Sequence, residues 1–179
     1  QKPLAAAGGG VILLLIVVAV LAPLVAPYAY DEPKVLERFQ GPSASHIFGT
    51  DAQGRDVFSR VIYGAQITVV LAFSSVLLST FIATFIGVIS GYFGGAVDTI
   101  IQRFVELWQA FPGFIFIIFV ISVVGPSRWS LILVFGLLFG VGSSRVVRSA
   151  VLSVRQLTYV EAAAATGATH SRLILRHIV

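Results

Sequence analysis

The chain has 179 residues, 57% of them apolar and only 11% charged, with a mean hydropathy of +0.95; this excludes an ordinary soluble domain, where about a quarter of residues carry charge, and suits a chain embedded in lipid. The net charge of +4 does not point to nucleic acid, because five arginines against one glutamate fall in residues 145–179, beside an apolar segment, where a cytoplasmic-side bias would put them. Cysteine and methionine are both absent, which excludes disulfides and thiolate metal sites and makes a processed or trimmed N-terminus the expectation.

Four stretches lack Asp, Glu, Lys and Arg: residues 3–30, 61–97, 107–127 and 129–144. A helix needs roughly 20 apolar residues to cross a hydrocarbon core about 30 Å thick, so the first three suffice. The fourth suffices by extending through Arg145, whose side chain can snorkel to the headgroups. The expectation is an all-α polytopic membrane protein with four transmembrane helices.

Residues 1–30 hold the first span, about 7–28, ending at Pro23, Pro27 and the belt tyrosines Tyr28 and Tyr30. A cleaved signal peptide competes, since Lys2 precedes the apolar run, but residues 11–29 exceed a signal core of about 7–15 residues. Residues 31–60 hold nine of the twenty charged residues and are broken by Pro33, Gly41, Pro42, Gly49 and Gly54, which predicts an extramembrane lip. Its end, 51–60, is expected to form an interfacial helix capped by Thr50 or Asp51, with Val57, Phe58 and Val61 toward lipid and Arg55 and Arg60 toward water.

Residues 61–147 hold the remaining spans. As one helix, 61–97 would be about 55 Å long at 1.5 Å per residue, so it must protrude or break, and Gly91-Tyr92-Phe93-Gly94-Gly95 is the expected break. Residues 98–109 set Asp98, Arg103 and Glu106 among apolar side chains, an amphipathic pattern leading into Phe111-Pro112, where a kink or a fresh helix start is expected. A third span then runs to about Val124, and a turn at 125–128 leads to a fourth at 129–147.

Four crossings return the chain to its starting side. That side counts seven Lys and Arg (Lys2, Arg103 and five in the tail) against five opposite (Lys34, Arg38, Arg55, Arg60 and Arg128), which puts both ends in the cytoplasm and 31–60 outside.

Several smaller patterns have two readings each. Gly87/Gly91 and Gly136/Gly140 are G-x-x-x-G pairs, either close-approach surfaces or coincidence in glycine-rich helices. Arg145 and Arg148 either line a polar pathway or, as favoured, anchor the cytoplasmic end. Arg103 and Glu106 share a helix face, as an intramembrane ion pair near a substrate path or solvated at the interface, the latter being the default. His46, His170 and His177 lack metal-site spacing, and neither a nucleophile motif nor a phosphate-cradling loop is encoded, so no cofactor and no catalytic residue is expected.

Residues 148–179 carry the most informative segment, two short helices about a glycine. The alanine run after Glu161 favours a thin helix that a partner can approach, Gly167 stops it, and Thr169 or Ser171 starts the next. By physics alone this is either a connector between spans or a docking element.

Glu161-Ala162-Ala163, three residues, then Gly167 resembles the E-A-A-x3-G loop of the permease subunits of bacterial binding-protein-dependent ABC importers. The family pattern continues with nine residues, Ile, any residue and Leu-Pro; here His177 and Val179 stand at the Ile and Leu positions. His46 to Arg60, with Gly49, Thr50, Asp51, Gly54, Arg55, Asp56, Ser59 and Arg60, looks like the H-x-x-G-T-D-x-x-G-R-D-x-x-S-R segment of dipeptide, oligopeptide and nickel permeases. Residues 90–95 with Asp98, and Ala110-Phe111-Pro112, resemble the same group, in particular its C-type partner.

The resemblance implies the permease fold of type I ABC importers, with six spans of which this chain is expected to lack the last two. It implies a homologous permease partner, two cytoplasmic ATPase subunits, an extracytoplasmic substrate-binding protein and a bacterial inner-membrane location. Glu161, Ala162, Ala163 and Gly167 would form the ATPase contact, with Arg172 and Arg176 as flanking ion-pair donors. Peptides are the implied cargo, with nickel complexes or glutathione as alternatives. A channel or structural membrane subunit without ATP coupling is the reading from another class.

Overall fold

The computed structural model describes residues 3–178 and is helical throughout, with no strand among them beyond a single Thr50–Asp56 bridge. In chain order the helices are α1 (Pro3–Val20), α2 (Ala22–Val25), α3 (Val57–Phe93), α4 (Gly95–Ala110), α5 (Gly113–Val124), α6 (Arg128–Arg155), α7 (Thr158–Ala165) and α8 (His170–Leu173), the last continuing into a π turn at Ile174–Ile178. Lys2 and Val179 lie outside the described residues. The chain divides into two compact units that meet within α3, one through Ala72 and one from Phe73 onward.

In the first unit α1 is apolar on all sides, and Pro23 starts the short α2 after a break at Leu21. Residues 26–56 then form an irregular lip with one 3-10 turn at Val35–Glu37. The expected interfacial helix over 51–60 does not form. Residues 51–56 are a tight turn in which the Asp51 carboxylate collects backbone amides and Gly54 takes a φ of +74°, and α3 begins at Val57. The cap is Asp56, whose Oδ2 accepts from the Ser59 amide at 2.7 Å, in place of Thr50 or Asp51.

α3 is one uninterrupted helix of 37 residues, about 55 Å at 1.5 Å per residue. It ends where the glycine cluster predicts, at Gly94, which takes a φ of +65°. The predicted third span is interrupted. Pro112 cannot continue α4, so α5 starts at Gly113 with an 82° bend between the two, and α5 alone has only 12 residues. Ser127 caps α6 by accepting the Ser130 amide, and α6 runs 28 residues, past the expected end at 147 to Arg155.

By length and composition α3 and α6 are each able to cross a membrane, and the bent α4–α5 pair makes three crossings if it counts as one span. Large apolar side chains such as Phe73, Leu77, Phe81 and Phe85 of α3 are exposed, a surface that water penalises and lipid accepts.

In the second unit the two G-x-x-x-G pairs meet opposite helices along one seam. A Cβ on Gly87 would lie 2.6 Å from the Ser144 carbonyl oxygen, and one on Gly91 2.9 Å from Val151, both on α6. A Cβ on Gly140 would lie 2.8 Å from the Ile82 Cβ, and one on Gly136 would strike Leu78, both on α3. Each helix thus offers two glycines to the other, and the backbones approach as small residues permit in lipid.

Candidate functional site

Two constellations gather the residues singled out by the sequence, one in each unit. The first is the lip. Asp51 is its polar centre: Oδ1 accepts from the amides of Gln53 at 2.8 Å and Arg55 at 3.0 Å, while Oδ2 accepts from Arg55 Nε at 3.0 Å and from Arg60 Nη1. Burial raises the Asp51 carboxyl pKa, but the backbone amides of Arg55 and Gln53 and then the two guanidinium groups outweigh it and hold the group well below the usual carboxylate range. Arg55 and Arg60 therefore turn back onto the lip instead of pointing to water, and the Arg60 guanidinium also lies 5.6 Å from the centre of the Tyr30 ring.

Beside this centre lies a buried histidine that sequence reasoning assigned no role. His46 Nδ1 is 2.9 Å from Asp56 Oδ1, its Nε2 is 3.2 Å from Glu37 Oε2, and its ring stacks on Tyr28 at 4.9 Å between centres. Burial raises the Asp56 carboxyl pKa too, and the Ser59 amide with the His46 ring brings it below its ordinary value. Thr50 is buried, donating to the Glu37 carbonyl and accepting from the Gln40 amide at 2.9 Å. Gly49 and Gly54 have φ of +72° and +74°, and a Cβ on either would strike a carbonyl oxygen, of Gln40 and Lys34 respectively. Every residue of the lip signature thus closes the lip upon itself.

The second constellation is the tail with the ends of α3 and α6. Val88, Tyr92, Val151, Val160 and Leu173 form a buried core, flanked by Ala163, Ala168 and Ile174. Tyr92 adds a polar tie, its hydroxyl 2.6 Å from His170 Nδ1, and the Arg155 guanidinium lies 5.9 Å from its ring centre. Gly167 has a φ of +84° and separates α7 from α8. Thr169 occupies the cap position of α8, without a side-chain capping hydrogen bond. Glu161, Ala162, Gly167, Arg172 and Arg176 are exposed, whereas Ala163 is half-buried against the core. The tail is thus a docked helix-turn-helix, with one face spent on the core and the other free.

A polar cluster lies nearby. Arg148 on α6 grips Asp98 on α4 with both prongs of its fork, Nε to Oδ1 at 2.6 Å and Nη2 to Oδ2. Ser90 on α3 donates to the same carboxylate, and Gln102 on α4 donates to Ser90 at 3.0 Å. Arg148 is thus held in an ion pair within the helices, while Arg145 is exposed. The signal was present, since an acid and an arginine within apolar helices require partners, but neither spacing nor composition says which. Arg103 and Glu106 pair at 2.8 Å on an exposed face. Among the described residues no group of three or more His, Asp and Glu is placed to hold a metal ion.

Comparison with known proteins agrees with this layout. The family model described as "Binding-protein-dependent transport system inner membrane component" matches residues 83–179, and "N-terminal TM domain of oligopeptide transport permease C" matches residues 1–42. The chain is 36% identical to the dipeptide transport system permease protein DppC of Alkalihalophilus pseudofirmus, over 90% of this chain and 53% of that protein. It is 32% identical to the oligopeptide transport system permease protein OppC of Haemophilus influenzae, over 89% and 52%. It is 35% identical to the glutathione transport system permease protein GsiD of Pectobacterium atrosepticum, over 78% and 46%. The chain spans about half the length of these curated relatives. With most of its second unit, the four seam glycines and the docked tail included, falling inside the first match, this chain belongs to the family of binding-protein-dependent transport system inner membrane components.

Proposed function

We propose that this chain is a permease subunit of an ATP-driven importer of di- or oligopeptides in a bacterial inner membrane, supplying half of a translocation path and catalysing no covalent chemistry. A homologous permease supplies the other half, two cytoplasmic ATPase subunits drive the cycle, and a binding protein delivers cargo at the lip. Four crossings carry the chain: α1 continued by α2, then α3, then bent α4–α5, then α6. The regions are 1–30, 31–60, 61–147 and 148–179, with 31–60 outside and both the N-terminal side and residue 179 in the cytoplasm.

The observation that carries the reading is the docked tail. A helix-turn-helix whose inner face is fixed by Val160 and Leu173, and whose outer face presents Glu161, Ala162 and Gly167, is built to receive force and pass it to the helices beneath. Arg172 and Arg176 flank that face as ion-pair donors. The lip residues Gly49, Thr50, Asp51, Gly54, Arg55, Asp56 and Arg60 serve the reading indirectly, by giving the binding protein a fixed surface. In the assembled importer, Glu161→Lys and Gly167→Pro are each expected to lower ATP-dependent peptide uptake at least tenfold and to weaken co-purification of the ATPase. Normal uptake in both variants overturns the reading.

Glutathione is the second reading for cargo, favoured by the relative named for its transport. Competition of labelled dipeptide uptake by excess glutathione separates the two.

A further inference from the structure

We infer that the Asp98–Arg148 ion pair is a strut that carries displacement of the tail into the bent α4–α5 element, so that Asp98 and Arg148 are positioning residues for coupling. The inference rests on the permease reading and deepens it.

Three observations lead there. The core of Val88, Tyr92, Val151, Val160 and Leu173 joins the tail to the ends of α3 and α6, and the glycine seam joins those two helices to each other. Tail, α3 and α6 therefore move as one piece. Next, past its first turns α4 meets that piece through apolar side chains, with Val105 buried, beside an open groove of about 350 Å³ lined by Phe85 and Ile89 of α3, Ile101, Val105 and Trp108 of α4, and Val141 of α6. Such apolar contacts are non-directional, so they hold α4 near the piece without fixing how it turns. Last, the tight connection sits at the start of α4, where the Arg148 fork engages both oxygens of Asp98 and Ser90 ties the same carboxylate to α3.

The chemistry suits a strut. A two-pronged guanidinium–carboxylate contact fixes orientation as well as distance, so rotation of α6 turns the start of α4 with it. The Arg148 backbone cannot yield either, because a Cβ on Gly87 would lie 2.9 Å from its amide nitrogen and one on Gly91 3.0 Å from its carbonyl oxygen. Position 98 is in the first turn of α4, where the helix dipole favours a carboxylate. Beyond the break at Pro112, α5 packs along α6, where a Cβ on Gly113 would lie 3.7 Å from Leu138, so both arms of the bend rest on α6.

The test uses the whole importer, reconstituted with its partner subunits in vesicles, and reads peptide imported per ATP hydrolysed in preparations matched for assembled complex. Asp98→Asn and Arg148→Gln are each expected to keep binding-protein-dependent ATP hydrolysis and to lower that ratio at least tenfold, while Arg103→Gln, which breaks an exposed ion pair on the same α4, stays within twofold of the unmodified protein. The chain has no cysteine, so the double variant Asp98→Cys with Arg148→Cys allows a second measurement on one preparation, before and after bridging with a short bis-methanethiosulfonate linker. Bridging is expected to restore the ratio at least fivefold. A ratio within twofold of the unmodified protein in both single variants, or one that bridging leaves unchanged, overturns the strut. Absence of ATP-dependent import by the unmodified protein overturns the permease reading itself, and the strut with it.

Discussion

At the scale of single residues the lip is a set of satisfied charges. Asp51 and Asp56 both have carboxyl groups held below their ordinary value, so each contributes stability that is fully present above the unfolded pKa of about 3.9 and is lost as pH falls through and below it. Amide hydrogen exchange across residues 31–60 is therefore expected to be slower in the unmodified protein than in Asp51→Asn above about pH 5, with the gap narrowing toward pH 3. A gap that widens on acidification contradicts the arrangement. Gly54 is constrained differently, by a φ of +74° and by the Lys34 carbonyl where a side chain would begin. Gly54→Ala is expected to destabilise the lip by about 1–2 kcal/mol from the left-handed backbone alone, read as faster proteolysis within residues 31–60. The identities of Asp51, Arg55 and Arg60 were legible as a motif, but the direction of their side chains was not. Amphipathic reasoning sent the arginines to water, and the competing attraction of one carboxylate nearby in sequence reversed them.

At the scale of elements, break points were more legible than crossings. Glycine at 94 and proline at 112 act through backbone geometry that depends on no neighbour, so the ends of α3 and α4 were readable. Lack of charge over 107–127 suggested a third crossing, yet hydropathy is blind to an 82° bend. The glycine pairs show the opposite limit: their spacing was visible, but that the two pairs face each other required the structure. Gly140→Leu is expected to overpack the seam at the cost of about 1–3 kcal/mol, read as loss of cross-linking between cysteines introduced on the exposed flanks of α3 and α6. By the same measurement Gly64→Leu, in open space, should leave the cross-link intact.

At the scale of the whole chain, the proposed topology is testable because the protein has no native cysteine. Ala52 and Ala164 are both exposed. A cysteine at position 52 is expected to react with a membrane-impermeant maleimide in intact cells, and one at position 164 only after permeabilisation; labelling of both from one side excludes the three crossings proposed between them, α3, bent α4–α5 and α6. Long-range partners such as Asp98 with Arg148, or Tyr92 with His170, were the least legible part of the candidate site, because residues far apart in sequence leave no periodic trace of their meeting. The seam between α3 and α6 also sets a schedule for synthesis. Gly87 and Gly91 enter the bilayer well before residues 144–151 exist to cover them, so during translation the bare glycine face of α3 is open to lipid, to the insertion machinery or to a wrong helix. Delay between α3 and α6, rather than stability once they have met, is then the step at which a newborn chain is most easily lost.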